Sequence, residues 1–338
     1  MTIFKDRPAT VYLSLYALLA LGWAVTGAGF PFGAGDGHNA THLLRAADPR
    51  IAAPIFAVVL LGVAVTAFAL DAQPVVRLTG VARTAVLVGG WTAVAGLIVV
   101  MTDARLLMVA GYAPILIIGT PFGVWSKFDP SDVFNWALLN EVLCVVAGLL
   151  LARTLLRWQR LTRNACVECG GAGRFTSRAA ATRWGRWAVY VAAATPMVYA
   201  LFRFAWIFNV GLGGVDSSDI PELKSNGAYW VGLGLGAAAT IGAILTVGLI
   251  RPWGERFPRW MIGLAGKRVP IKLATIPAAA VGIMAFVATP GVFVFQGADA
   301  VREVSPVLFW PPWGVALVLA AIGYHLRRRG QCPTCARD

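Results

Sequence analysis

The chain has 338 residues, is 58% hydrophobic and only 13% charged, and has a mean hydropathy of +0.70. Soluble domains carry about 25% charged residues, so an ordinary soluble fold is excluded. A net charge of +13 would suggest nucleic acid in a soluble protein. Here the cations sit between apolar runs, which points instead to membrane-surface loops and to no nucleic-acid partner.

Eight apolar runs predict spans at about 10–31, 51–71, 85–102, 132–152, 187–208, 228–250, 273–294 and 307–326. Each is long enough to cross a hydrocarbon core of about 30 Å. Alternating segments of the kind that build a membrane barrel are missing. The first run lacks a small-residue cleavage site and is read as a retained span. A further apolar stretch, 104–123, is broken by Gly and Pro and reads as a re-entrant segment or a ninth span. The expected fold is therefore all-α and integral to the membrane. It has eight transmembrane helices in two four-helix repeats, plus that one extra segment.

Charge orients the loops. With 104–123 not crossing, 22 of the 29 Lys and Arg fall on pieces of one side and 6 on the other. The Lys- and Arg-rich side is the cytoplasmic one. The Arg-rich loop 153–186 and the C-terminus then lie in the cytoplasm, and so does the N-terminus. If 104–123 did cross, only the pieces before it would change sides, and the bias would be nearly as strong. Anionic lipid at the cytoplasmic face is the expected partner of these loops, and a cytoplasmic protein is a second one. The loop 251–268 mixes Trp, Phe and Arg and suits a segment lying in the interface.

Two halves can be compared. Tyr16-Ala-Leu-Leu-Ala-Leu-Gly-Trp23 in the first span matches Tyr199-Ala-Leu-Phe-Arg-Phe-Ala-Trp206 in the fifth at Tyr, Ala, Leu and Trp. Cys166-Val-Glu-Cys169 and Cys332-Pro-Thr-Cys335 each follow an apolar run and an arginine cluster. The two offsets differ by about the length of 104–123, as an insertion in the first half would produce. The predicted halves are 1–175, carrying the extra segment 104–123, and 176–338, each ending in CxxC.

These four cysteines are the strongest candidate site. A CxxC turn presents two thiolates from one side, and two turns complete the tetrahedral shell that zinc prefers. A full shell leaves no open position, so the expected cofactor is structural zinc at Cys166, Cys169, Cys332 and Cys335. Redox thiols or an iron–sulfur cluster are the alternatives. Cys144 sits alone in an apolar run.

A second candidate is polarity inside the membrane. Glu141 and Asn140 fall near the middle of the fourth predicted span, and Arg203 near the outer end of the fifth. An ionisable residue at depth is a functional hypothesis by default. A Glu141–Arg203 pair holding the halves together is the structural alternative. A third candidate is the outer loop with Asp36, His38 and His42, whose histidines would share a face if helical.

The stretches Arg251-Pro-Trp-Gly-Glu-Arg-Phe-Pro-Arg-Trp260, Gly266-Lys-Arg-Val-Pro270, Trp310-Pro-Pro-Trp-Gly-Val315 and Tyr324-His-Leu-Arg-Arg-Arg-Gly330 are similar to those of multi-pass membrane proteins of actinobacterial type. The resemblance lies mainly in the second half. It implies a bacterial inner-membrane setting and no particular chemistry.

Nucleophile elbow, Walker loop, dinucleotide fingerprint and paired-carboxylate motif are all absent from the sequence. The favoured expectation is a component that moves a small solute or ion, with zinc as a cytoplasmic clamp. A membrane-anchored zinc or redox sensor or assembly factor is one alternative. A membrane enzyme using the outer-loop histidines is another.

Overall fold

A computed structural model describes residues 7–37, 40–72, 77–119, 134–170, 175–302, 305–332 and 334–335. The described residues are helical apart from turns and one isolated antiparallel bridge, Arg256 with Arg268. Eight helical stretches among them are long and apolar enough to cross a membrane. The all-α membrane class expected from composition is what the chain adopts.

The chain divides into two compact units, 1–106 with 130–171, and 107–129 with 172–338. The first unit contains α1 (Pro8–Thr26), α2 (Pro49–Leu70), α3 (Gly80–Ala95, continued by a π-helical turn Gly96–Val100) and the first residues of α4 (Arg105–Gly119). It also contains α5 (Trp136–Leu161). In the second unit lie α6 (Arg178–Ala205), α7 (Ala228–Gly248), α8 (Ile271–Gln296) and α9 (Trp310–Arg328). The same pairing order recurs in both. First and second spans pack together, third packs on fourth, and first also meets fourth.

Local chemistry explains where the helices differ from the hydropathy boundaries. Helix α1 stops at Thr26 rather than near 31, because Gly27 adopts φ +67° and closes the end with its N–H on the Trp23 carbonyl. Helix α5 starts at Trp136 rather than near 132, because the Asn135 side chain caps it by accepting from Leu138 N–H at 3.0 Å. It then runs on to Leu161, well past the apolar stretch. Ser177 caps α6 in the same way, ten residues before the predicted start of that span at 187. Helix α4 realises most of the Gly/Pro-broken segment 104–123 as 15 helical residues. Residues 120–123 lie outside the described residues.

Close packing rests on glycine. In the second unit α9 meets α6 at Gly323 against Gly185, and α8 at Gly314 against Gly282. A Cβ on Gly314 would stand 2.5 Å from the Gly282 carbonyl oxygen, and one on Gly323 would stand 3.0 Å from Gly185 Cα. Without a hydrophobic drive between helices in lipid, such small-residue contacts are what let backbones approach. Gly232 and Gly236 of α7 serve the same purpose within the chain, receiving the Trp206 ring and the Arg203 and Phe204 side chains. In the first unit Gly90 seats Leu155 and Gly148 seats Ile98, which brings α3 onto α5.

Gly323→Val should therefore lower the unfolding free energy by roughly 1–3 kcal/mol, the usual penalty for overpacking. Gly22→Ala should not, since nothing lies within 4 Å of its would-be Cβ. Thermal unfolding of both variants in one detergent makes the comparison.

Candidate functional site: a buried ion cluster and four close thiols

In the first unit a loop, a π-helical turn and a helix end converge on Arg105. The loop joining α1 to α2 is folded back at Gly33, whose φ is +85° and whose would-be Cβ would collide with the Ala47 carbonyl oxygen. Ala34 N–H donates to that same carbonyl at 3.0 Å. The fold-back buries Phe32 and lays its ring on His42, with centroids 5.4 Å apart. It also carries Asp36 to the Arg105 guanidinium, Oδ2 to Nη2 at 2.8 Å.

The π-helical turn at the end of α3 is followed by Asp103. π turns are rare and are frequent at functional sites. Asp103 caps the start of α4 by accepting from Arg105 N–H at 2.7 Å. Its carboxylate also faces Arg105 Nε, with both oxygens at 3.1 Å. Thr41 Oγ1 donates to Asp103 Oδ2 at 3.3 Å.

Glu141 completes the group. It stands in the second turn of α5, because that helix starts only at Trp136, and not at the mid-span depth expected from hydropathy. Its Oε1 is 2.9 Å from Arg105 Nη2, and its Oε2 accepts from Asp103 N–H at 3.4 Å. Side-chain exposure is 0% for Asp103 and Glu141, 4% for Arg105 and 7% for Asp36. Three carboxylates thus share one guanidinium out of water.

His42 lies against the same group and is 1% exposed. Its Nδ1 accepts from Leu44 N–H at 3.0 Å, which assigns the proton of the neutral ring to Nε2. Burial pushes its pKa below the ordinary histidine value. The Asp103 charge opposes that shift, Arg105 adds to it, and Asp36 and a Met101 backbone contact again oppose it. The net effect favours the neutral imidazole.

The structure thus joins candidates that the sequence kept apart. Asp36 and His42 of the outer loop and Glu141 of the fourth span belong to one cluster. Residues 40–46 are turns rather than a helix, so the shared helical face expected for the histidines does not form there; His38 lies outside the described residues. Asn140 is beside the cluster but turned to other partners. Its Nδ2 donates to Trp136 O at 2.8 Å, and its Oδ1 accepts from Tyr16 O–H at 3.3 Å. The same hydroxyl is 3.3 Å from Cys144 Sγ. Arg203, in the second unit, packs over the rings of Tyr199 and Trp206, and its Nε donates to Tyr199 Oη at 3.0 Å. Glu141 pairs with Arg105, where the sequence had suggested Arg203.

Sequence reasoning missed Asp103 and Arg105. The available signal was a charged pair, Asp103-x-Arg105, wedged between two apolar runs.

The cysteines form the second centre. Beyond α5, Asn164 (φ +53°) and Gly170 (φ +75°) turn the chain, and Gly170 N–H closes onto the Cys166 carbonyl at 2.8 Å. Arg160 Nη1 donates to the Val167 and Glu168 carbonyls at 2.7 and 3.0 Å, bracing the knuckle from inside. Arg160 thereby serves the fold of the knuckle.

The arginines ahead of the C-terminal pair are likewise engaged. Arg327 reaches the Leu249 carbonyl at 2.7 Å and Glu255 at 2.9 Å. Arg328 reaches the Val269 carbonyl at 2.9 Å, and Arg329 the Thr176 carbonyl at 3.3 Å. The ligand atoms of Cys166, Cys169, Cys332 and Cys335 all lie within 4.8 Å of one another, and none of these cysteines is in a disulfide. Zinc–sulfur bonds of about 2.3 Å set sulfurs roughly 3.8 Å apart in a tetrahedron. The four thiols are close enough to hold a metal ion.

No protein-family model, curated protein or solved structure matches this chain.

Replacing Arg105 by Ala would leave the carboxylates buried without their cation. A loss on the order of 3–5 kcal/mol is expected for such a broken pair. The loss should shrink as pH is lowered, because protonation removes the repulsion. Unfolding of wild type and Arg105→Ala across pH 8 to 5 measures it; a pH-independent difference would mean that packing alone is at stake.

Proposed function

We propose that this protein is a bacterial inner-membrane component that moves a small solute or ion and exchanges protons at the Arg105 cluster. The observation that carries the reading is the charge balance of that cluster. Asp103 and Glu141, both with wholly buried side chains, share the one Arg105 guanidinium, so with all three ionised the carboxylates outnumber that cation. Isolated buried charge is far too unfavourable to persist, so the excess is neutralised by protons or a small cation. A group that must take up and release a cation inside a multi-pass membrane protein suits coupling of ion movement to solute movement. His42 is buried against the same group, where the Asp103 and Asp36 charges favour its protonation and burial opposes it.

The charge bias of the loops supports a cytoplasmic C-terminus. Duplication of a four-helix unit is supported by the shared pairing order of the two units. A buried tryptophan also closes the first span of each, Trp23 and Trp206.

Solid-supported membrane currents in proteoliposomes test transport, with amino acids, sugars, Na⁺ and K⁺ as the panel. At least one of these should give a current in wild type. Glu141→Gln, which keeps the shape and removes the charge, should cut it by roughly tenfold or more, as loss of an essential proton-transfer group does. Silence across the panel, or full current in the variant, counts against the reading.

The thiol centre is read as structural zinc. Its donors are four cysteines, so a bound ion would have no open coordination position and would serve the fold. Elemental analysis should return one zinc per chain in wild type and none in Cys332→Ser. Chelation should lower the melting temperature of wild type alone. A protein isolated without metal and with an oxidised Cys166–Cys169 pair would favour the redox-sensor alternative instead.

A further inference from the structure

Between α7 and α8 the chain forms a short hairpin whose tip is apolar and whose stem is cationic. Its base is rigid. Trp253 packs its ring on Gly248, Tyr324 O–H donates to the Gly254 carbonyl at 2.7 Å, and Arg328 holds the Val269 carbonyl at 2.9 Å. Phe257 N–H to Lys267 O at 3.0 Å and Val269 N–H to Glu255 O at 2.9 Å frame the bridge between Arg256 and Arg268. That pattern makes the two arginines a non-hydrogen-bonded antiparallel pair, the register that brings side chains closest. Like charges directly opposite each other are destabilising.

Neither arginine has an ion pair among the described residues. The one acid in 251–272, Glu255, is engaged by Arg327 at 2.9 Å. Beyond the pair, Arg259 and Lys267 flank a tip in which Trp260 is 77% and Ile262 97% exposed. A tip of that kind on a fixed stem is built to enter an apolar medium, while the stem meets anions beside it.

We infer that this hairpin is an anionic-phospholipid site: the Trp260–Leu264 tip enters the leaflet and a headgroup phosphate bridges Arg256 and Arg268. The phosphate offsets the cross-strand repulsion and accepts hydrogen bonds from both guanidinium groups. The lipid supplies the two chemistries together, a phosphate at the stem and acyl chain at the tip. A soluble anion would satisfy only the first. This inference is independent of the transport reading, since it concerns a different segment and a different ligand.

Native mass spectrometry of the full-length protein in detergent tests it. Phosphatidylglycerol and phosphatidylcholine are titrated separately, and inorganic phosphate is titrated as a competitor. Wild type should bind one phosphatidylglycerol more tightly than phosphatidylcholine. In the double variant Arg256→Gln/Arg268→Gln that preference should drop on the order of thirtyfold, as two lost cationic contacts imply. Arg256→Lys/Arg268→Lys should retain most of it.

Trp260→Ser/Ile262→Ser should weaken both lipids alike. Melting temperatures in phosphatidylcholine check that these exposed substitutions leave the fold intact. An unchanged preference in the Gln variant, no preference in wild type, or displacement of the lipid by millimolar phosphate would overturn the assignment.

Discussion

The first unit is organised around a single buried guanidinium. Arg105 brings together chain segments that are far apart in sequence, with Asp36 from the α1–α2 loop, Asp103 from the end of α3 and Glu141 from α5. Removing a charge from water is tolerable only when its partners are near and correctly aimed. That requirement fixes local structure around it. The α1–α2 loop must fold back at Gly33, because without that turn Asp36 would not reach Arg105. The π-helical turn before Asp103 shifts the chain so that one carboxylate can cap α4 and face the arginine at once. Helix α5 must begin at Trp136, capped by Asn135, so that Glu141 lies one turn inside the helix and level with the loop.

The second unit is organised by close approach rather than by charge. Helix α9 is flanked by α6 and α8 through glycine pairs, and its C-terminal arginines then secure the surrounding backbone. The last carbonyls of a helix or turn need donors, and an arginine fork supplies several from one side chain. Arg327, Arg328 and Arg329 each take a different target: Leu249 and Glu255, Val269, and Thr176. A triplet that looks in sequence like a membrane-surface charge run is, in the fold, a set of backbone clamps. The hairpin between α7 and α8 owes its rigid base to two of them.

Hydropathy was sufficient for the eight spans found among the described residues, because burial in lipid forces long unbroken helices whatever the side chains do later. It could not locate their ends, which depend on single capping residues: Gly27, Asn135 and Ser177. The proximity of the four thiols was legible, since CxxC spacing carries its own geometry. The ion cluster was not. Glu141 was visible as an anomaly in an apolar run, but its partner Arg105 reads as an ordinary loop cation. Only the return of the α1–α2 loop, set by Gly33 and Ala47, places Asp36 and His42 beside it. Sequence spacing records a neighbour three or four residues away; it does not record one separated by 62 residues, as Thr41 is from Asp103.

Both centres gather groups that carry negative charge when ionised, and the way that charge is balanced differs in a manner that suits different roles. Four thiolates around a divalent metal would still carry an excess of two negative charges. Arg160, hydrogen-bonded to the knuckle carbonyls, sets a cation beside it. Such a shell is closed and exchanges slowly, which makes it fit for holding structure. At the other centre the Asp103 and Glu141 carboxylates share a single guanidinium, one cation for two acids. Protons can fill that deficit and leave again as conditions change. A balance met by an exchangeable proton is one that conformational change can shift, whereas a balance met by a tetrahedrally bound ion is not. That contrast is the physical reason for seeking turnover at Glu141 and permanence at the cysteines.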